Sequence, residues 1–200
     1  IAYPIAYFIS RAKPKTQKIL IMLVMLPMWM NFLIRTYSWM ALLEDTGIIN
    51  TFLGFFGIGP IHMINTAGAV ILGMVYNYLP YMIIPIHSVL SKVDNRLLEA
   101  ASDLGSNPFT VITRVVFPLS VPGIISGITM VFVPSISTFY ISQKLGGGNF
   151  DLIGDTIERQ FQTAYNYNLG ASMSFVLMLL IIISMTVLNK YADDDGGVII

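Results

Sequence analysis

Long apolar runs separated by short polar segments dominate this sequence. A transmembrane helix needs about 20 mostly apolar residues, and four runs are long enough to contain one: residues 19–43, 66–90, 115–143 and 170–188. Residues 1–9 are apolar but too short, so we expect them to be the end of a helix whose start is missing. The pattern predicts an all-α membrane protein, a polytopic helical bundle with four complete transmembrane helices plus the end of a fifth at the N-terminus.

Basic residues are distributed unequally among the polar segments. One side of the membrane receives eight of them: Arg11, Lys13, Lys15, Lys18, Lys92, Arg96, Arg114 and Lys190. The other side receives only Lys144 and Arg159. Because cytoplasmic loops are rich in Lys and Arg, residues 92–114 and the C-terminus are expected in the cytoplasm. Residues 44–65, with a short interfacial helix, and residues 144–168 are then expected outside.

Composition supports this class and excludes several others. The chain is 55% hydrophobic and 11% charged, whereas a soluble domain carries about 25% charged residues. Its zero net charge gives no indication of a nucleic-acid partner, and the lack of cysteine excludes disulfide and thiolate chemistry. His62 and His87 have no metal-ligand spacing, and residues 66–90, 115–143 and 170–188 contain no Asp or Glu. We therefore expect neither a metal site nor an intramembrane enzyme.

The polar segment at residues 92–114 carries a series of local folding signals. Asp94 and Asn107 can each cap a helix, and Pro108 suits a first helical position. Gly105 is placed where a helix ends in the left-handed conformation. Leu97, Ala101 and Leu104 are spaced to form one apolar stripe. The segment is predicted to form a cytoplasmic helix-turn-helix that docks a partner; the alternative is a surface loop that only reconnects two spans.

Small residues and prolines punctuate the predicted spans. Gly123 and Gly127 form a small-xxx-small pattern that lets another helix approach closely. The spans contain or border five prolines: Pro27, Pro80, Pro85, Pro122 and Pro134. Ordinary helix packing and kinks that line a translocation path both remain open from the sequence.

The polar segment resembles the EAA loop of membrane subunits of binding-protein-dependent ABC importers. That family pattern is Glu-Ala-Ala, three residues, Gly, nine residues, then Ile-x-Leu-Pro, and Glu99, Ala100, Ala101, Gly105 and Pro118 match it in register. The segments at residues 32–39, 78–85 and 145–147 resemble the spermidine/putrescine permease branch of the family. The likeness extends over nearly the whole chain.

The resemblance implies a fold, a location and a set of partners. Residues 1–200 would form a single transmembrane permease domain, N-terminally truncated since the chain begins with Ile, in the bacterial plasma (inner) membrane. The partners would be cytoplasmic ATPase subunits, a second permease subunit, an extracytoplasmic substrate-binding protein and the lipid bilayer. Residues 92–114 would couple to the ATPase, through Glu99, Ala100, Ala101, Asp103, Leu104, Gly105 and Pro118. No phosphate-binding Gly-x-x-x-x-Gly-Lys-Ser/Thr motif is present, so this chain would bind no cofactor and its partner would use the ATP.

A polyamine site should combine carboxylates with aromatic faces, because the substrate is a long polycation. The candidates on the outward side are Tyr140, Asp151, Asp155, Glu158, Tyr165 and Tyr167. The alternative is that these acids are solvated and the tyrosines belong to an interfacial belt. An importer of another small solute, such as a sugar, a metal complex or an oxyanion, and a self-standing channel also remain open, although a channel needs no coupling loop.

Arg35 is the one charge within the first predicted span. A cation in the bilayer is costly unless it reaches the interface or pairs. We expect the side chain to snorkel to the outer interface. The alternative is a carboxylate partner in the second permease or the docked binding protein.

Overall fold

The computed structural model describes the backbone of residues 1–196 and the side chains of all of these except 95, 102, 189 and 191–196. Within this part of the chain all regular structure is helical. The helices are α1 (Ala2–Arg11), α2 (Pro14–Met25), α3 (Phe32–Leu43), α4 (Ile48–Gly54), α5 (Ala67–Leu90), α6 (Asn95–Asp103), α7 (Pro108–Ser137), α8 (Tyr140–Gly146), α9 (Ile153–Gln162) and α10 (Tyr167–Gly196). A 3₁₀ turn, Leu26–Trp29, extends α2.

Three of the described helices are long and apolar enough to cross a membrane. They are Ala67–Leu90, Pro108–Ser137 and the Tyr167–Leu188 part of α10, which confirms the spans predicted at 66–90, 115–143 and 170–188. The fold is therefore that of a multi-pass helical membrane protein. Helix α4 also confirms the short helix expected between residues 44 and 65.

The first predicted span, residues 19–43, is not one straight helix. The helical stretches Pro14–Trp29 and Phe32–Gly54 meet at a bend of 94°, and only if this bent pair counts as one span does the described chain have four. Pro27 sits in the 3₁₀ turn that ends the first stretch, since proline cannot donate to the helical ladder. Asn31 then caps α3, its side chain accepting a hydrogen bond from the Leu33 N–H at 2.8 Å.

The chain forms two compact units. The first comprises Ile1–Val24, Leu79–Phe132 and the chain from Ile181, and the second comprises Met25–Tyr78 and Val133–Leu180. The core of the first unit is built from α1, α5 and α7, whose buried residues there are Ala2, Ala6, Ile9, Ile83, Ile86, Leu90, Val111 and Val116. The core of the second unit contains Leu43, Ile64, Ala69, Val70, Ile141 and Leu145.

Close contact between α5 and α7 in the first unit depends on two glycines. A Cβ atom on Gly123 would lie 2.9 Å from the Pro85 carbonyl oxygen and 3.0 Å from Val89 Cγ2. A Cβ atom on Gly127 would lie 2.7 Å from Met82 Sδ. The small-xxx-small pattern therefore brings two helices together, as predicted.

We expect Gly123→Ala to lower the free energy of unfolding by about 1–3 kcal/mol, because the added methyl group meets a fixed backbone carbonyl. Gly127→Ala is the matched control and should cost less than about 1 kcal/mol, since the methionine side chain in its way is flexible. Unfolding of the full-length chain in detergent measures both. Equal losses, or a larger loss at Gly127, would contradict this account of the contact.

Candidate coupling surface and substrate path

The two short helices of the polar segment are defined by local caps. Asp94 Oδ1 accepts a hydrogen bond from the Arg96 N–H at 2.9 Å, and Asn107 Oδ1 accepts from the Thr110 N–H at 2.8 Å. Gly105 has φ +80°, and the Ser106 N–H donates to the Ala101 carbonyl at 3.2 Å, which is the six-residue closure of a Schellman motif. The first short helix and the turn are as predicted, but the second helix is not short, because it is the start of the 30-residue helix α7, Pro108–Ser137.

Helix α6 is attached to the first unit by one face. Leu98 and Ala101 pack against the core formed by α1, α5 and α7. Arg11 Nη1 also donates to the Val93 carbonyl at 3.4 Å, so the end of α1 contacts the segment that leads into α6. This short helix is thus positioned by hydrophobic contacts on the core side.

Large apolar side chains within and just after α6 are also exposed, beside its polar residues. Leu97 is 50% exposed and Leu104 is 87% exposed, and Phe109 at the start of α7 is 76% exposed. The predicted stripe of Leu97, Ala101 and Leu104 is therefore only partly correct, because Ala101 belongs to the core side together with Leu98, whose role the spacing did not reveal. Large exposed apolar side chains on a polar segment indicate a docking surface.

The remaining motif residues lie at the surface, except for the Ala101 described above. Glu99, Ala100, Asp103 and Pro118 are all exposed. Proline at 118 has no N–H for the Arg114 carbonyl, and the helix before it widens into a π-helical segment, Ile112–Val116, in which the Phe117 N–H donates to the Ile112 carbonyl. The proline that ends the motif therefore adjoins an irregular turn in α7.

The three acidic candidates in the second unit already have partners. Asp151 pairs with Arg159 Nη2, and this carboxylate raises the pKa of Arg159 above its ordinary value. Glu158 Oε2 accepts a hydrogen bond from Gln143 Nε2 at 2.9 Å. Their positions are compatible with a polar surface shared by α8 and α9.

Asp155 differs from the other two acids because it is buried. Asp155 is only 2% exposed. Its Oδ2 accepts a hydrogen bond from the Leu152 N–H at 2.7 Å, at the start of α9. Oδ1 is buried and has no hydrogen-bond partner among the described residues. The contact stabilises the first turn of α9.

The aromatic candidate Tyr140 belongs to a cluster that the sequence did not reveal. Its ring centroid lies 6.0 Å from that of Phe32 and 6.2 Å from that of Tyr37. Lys144 Nζ lies 5.7 Å from the Tyr37 centroid and 5.8 Å from the Tyr140 centroid. Only the spacing of Tyr140 and Lys144 on one helix gave a local signal for these contacts. The two other tyrosine candidates are exposed, Tyr165 at 69% and Tyr167 at 59%.

Arg35 does not snorkel, so the expectation for this residue is wrong. The residue is 7% exposed, and its Nε and Nη1 atoms are buried without a hydrogen-bond partner in the described part of the chain. The guanidinium carbon lies 6.0 Å from the centroid of the Phe32 ring. Arg35 lies on α3, which the 94° bend separates from the apolar α2. The periodicity of the sequence did not indicate this bend.

The described helices define the class as a multi-pass helical membrane protein. The chain belongs to the family of binding-protein-dependent transport system inner membrane components, whose sequence profile matches residues 2–194.

Relatives within this family are similar over most of the chain. The spermidine/putrescine transport system permease protein PotB of Haemophilus influenzae is 44% identical, with 95% of this chain and 68% of that protein covered. PotB of Escherichia coli K12 is 38% identical, with 90% and 66% covered. The inner membrane ABC transporter permease protein YdcU of Escherichia coli K12 is 28% identical, with 98% and 67% covered. The chain thus spans about two thirds of the length of these relatives.

Solved structures show the same fold at low sequence identity. A bacterial ABC transporter that imports the acidic polysaccharide alginate matches with a TM-score of 0.74 at 16% identity, over 96% of this chain and 71% of that chain. The same kind of transporter in complex with a periplasmic protein that holds an alginate pentasaccharide matches with a TM-score of 0.72 at 16% identity, over 94% and 69%.

We expect Asp155→Ala to lower the free energy of unfolding by about 0.5–2 kcal/mol, because the first turn of α9 loses its acceptor. Asp151→Ala, which breaks an exposed ion pair, should cost less than about 1 kcal/mol. Unfolding of the full-length chain in detergent compares the two variants. A larger loss in Asp151→Ala would show that the buried carboxylate does not hold this helix.

Proposed function

We propose that this chain is a transmembrane permease subunit of an ATP-driven importer of polyamines and forms half of the path for spermidine and putrescine. The observation that carries the substrate class is the 38–44% identity to PotB proteins, whose names state spermidine/putrescine transport. A second permease forms the other half of the path, an extracytoplasmic binding protein delivers the substrate, and separate ATPase subunits hydrolyse ATP.

The exposed face of the helix pair is the proposed contact with the ATPase. Leu97, Leu104 and Phe109 provide an apolar surface that nothing in the described chain covers. The opposite face, Leu98 and Ala101, is fixed to the core of the first unit. A push on the exposed face is therefore passed directly to α1, α5 and α7, and this arrangement provides the two-state coupling that transport requires. The segment and the C-terminus face the cytoplasm in this proposal.

The proposed substrate path includes the aromatic cluster and the acids that follow it. The contact of the Lys144 ammonium with the Tyr37 and Tyr140 rings supports this, because an alkylammonium group is also the chemical group at the ends of spermidine and putrescine. An ammonium group of a polyamine would displace the Lys144 ammonium from the Tyr37 and Tyr140 rings. Asp151 and Glu158 provide carboxylates nearby in the sequence. Because the lysine competes, binding in the path is weak and the substrate is released.

Import of a related solute is the second candidate function. YdcU, at 28% identity, is an ABC transporter permease protein whose name states no solute. Reconstituting the full-length chain with its ATPase, second permease and binding protein separates the two. ATP-dependent uptake of labelled spermidine, inhibited by putrescine, supports the polyamine assignment. Uptake of a sugar or an oxyanion instead would replace it.

We expect Gly105→Val to abolish uptake while the chain still inserts in the membrane. Gly105 has φ +80°, and a β-branched residue is strained there although the space around it is open. Gly57→Val is the matched control, since Gly57 has φ +74° and equally open space in a different loop. Labelled spermidine uptake and membrane content measure the outcome. Normal uptake in Gly105→Val, or equal loss in Gly57→Val, contradicts a rigid coupling turn.

We expect Tyr140→Leu and Glu158→Gln to lower spermidine uptake several-fold below saturation, because each removes a group that attracts a cation. Lys144→Met should raise uptake under the same conditions, since it frees the aromatic rings. Asp45→Asn, at an exposed pair with His62, is the control. Unchanged uptake in Tyr140→Leu and Glu158→Gln would remove these residues from the path.

A further inference from the structure

Arg35 is a buried cation whose polar atoms are not satisfied by the described chain. It is 7% exposed, and both Nε and Nη1 are buried without a hydrogen-bond partner among the described residues. Among the described residues, its one cation–π contact is with the Phe32 ring, whose centroid lies 6.0 Å from the guanidinium carbon. An unpaired buried charge costs several kcal/mol, so a group from outside these residues is needed to bind it.

A small cavity beside Arg35 has room for such a group. Its volume is about 120 Å³, several times the roughly 30 Å³ that one water molecule occupies in the liquid. The cavity is lined by Met30, Arg35, Ser38, Trp39, Leu42 and Tyr76. The Trp39 and Tyr76 rings pack edge to face, with their centroids 5.1 Å apart. The Ser38 hydroxyl donates a hydrogen bond to the Ile34 carbonyl. Among the described residues, Arg35 is the only charged side chain that lines this cavity.

The surroundings of the cavity are suited to lipid. Met30, which lines the cavity, is 43% exposed, and Ile34, the chain neighbour of Arg35, is 58% exposed. The stretch Pro14–Trp29, at 1.5 Å per residue, is about 24 Å long, and it begins among Lys13, Lys15 and Lys18. That length nearly crosses a hydrocarbon core of about 30 Å. We place this stretch along the membrane normal, which sets the bend at residues 30–31 and the cavity near the headgroups of the leaflet opposite those lysines.

We propose that the cavity beside Arg35 binds the phosphate of a phospholipid from that leaflet. The anionic phosphodiester pairs with the guanidinium, since arginine binds phosphate strongly. The acyl chains lie along Met30 and Ile34, and Trp39 and Tyr76 occupy the interfacial zone that these residue types prefer. The positive charge of Arg35 excludes the cavity as a site for a polyamine, so this site is independent of the transported solute.

Thermal unfolding of the full-length chain in detergent, with and without phosphatidylglycerol, tests the proposal. At a hundredfold excess over Kd the lipid should raise the Tm of the unmodified chain by about 5 °C or more. Arg35→Met should lose most of this rise and Arg35→Lys should keep part of it. Arg96→Met, which removes an exposed arginine from α6, should keep all of it. Inorganic phosphate at the same concentration should give no rise, because it lacks the acyl chains.

The variants also separate a lipid from the other occupants. In lipid-free detergent Arg35→Met should be at least as stable as the unmodified chain, since it removes an unpaired charge; marked destabilisation would mean that a group of the protein itself already binds Arg35. An equal lipid-dependent rise in Arg35→Met overturns the proposal. If the lipid response is unchanged and Arg35→Met instead loses the copurifying second permease, the occupant is a carboxylate of that partner. If Arg35→Met cannot be purified, the comparison of Arg35→Lys with Arg35→Gln decides the same question.

Discussion

The packing of Leu98 and Ala101 against the core of α1, α5 and α7 is the contact on which the rest of the structure depends. It holds a nine-residue helix, too short to be stable by itself, in a fixed position on the membrane-spanning helices. The closure at Gly105 then sets the angle at which α7 departs. A docking surface without this seat would move freely and transmit no force.

Close helix contact also joins α5 and α7 in the first unit. Gly123 and Gly127 allow α7 to approach α5 until backbone and side-chain atoms touch. In a bilayer such contacts depend on van der Waals packing, because lipid offers no hydrophobic driving force between helices. The last helix is different: none of the most apolar stretch of Tyr167–Leu188 is buried within the described chain. Lipid or a second subunit therefore covers that helix.

Local sequence signals predicted the turns correctly, whereas contacts between residues far apart in the sequence could not be predicted. Asp94, Gly105 and Asn107 predict their turns because each acts on neighbouring backbone groups. Prolines were ambiguous: α5 continues through Pro80 and Pro85, whereas the helix at Pro27 ends. The cap at Asn31 distinguishes the two cases, since it starts a new helix.

Contacts between distant residues account for the rest. Tyr37 and Lys144 meet although they are far apart in the sequence. The burial of Arg35 depends on the 94° bend, which an apolar run does not reveal. The Asp155 contact is local, yet Asp155 was grouped with the exposed Asp151 and the half-buried Glu158, because composition alone does not distinguish a carboxylate that caps a helix from one that faces solvent.

The sidedness of the helix pair tests the central claim most directly. The chain has no cysteine, so a single cysteine can be placed at the exposed position 104 or, for comparison, at the exposed position 46. In intact cells a membrane-impermeant maleimide should label Thr46→Cys and not Leu104→Cys. After permeabilisation it should label Leu104→Cys, and added ATPase subunit should protect that position. Labelling of Leu104→Cys from outside intact cells would contradict a coupling surface driven by a cytoplasmic motor.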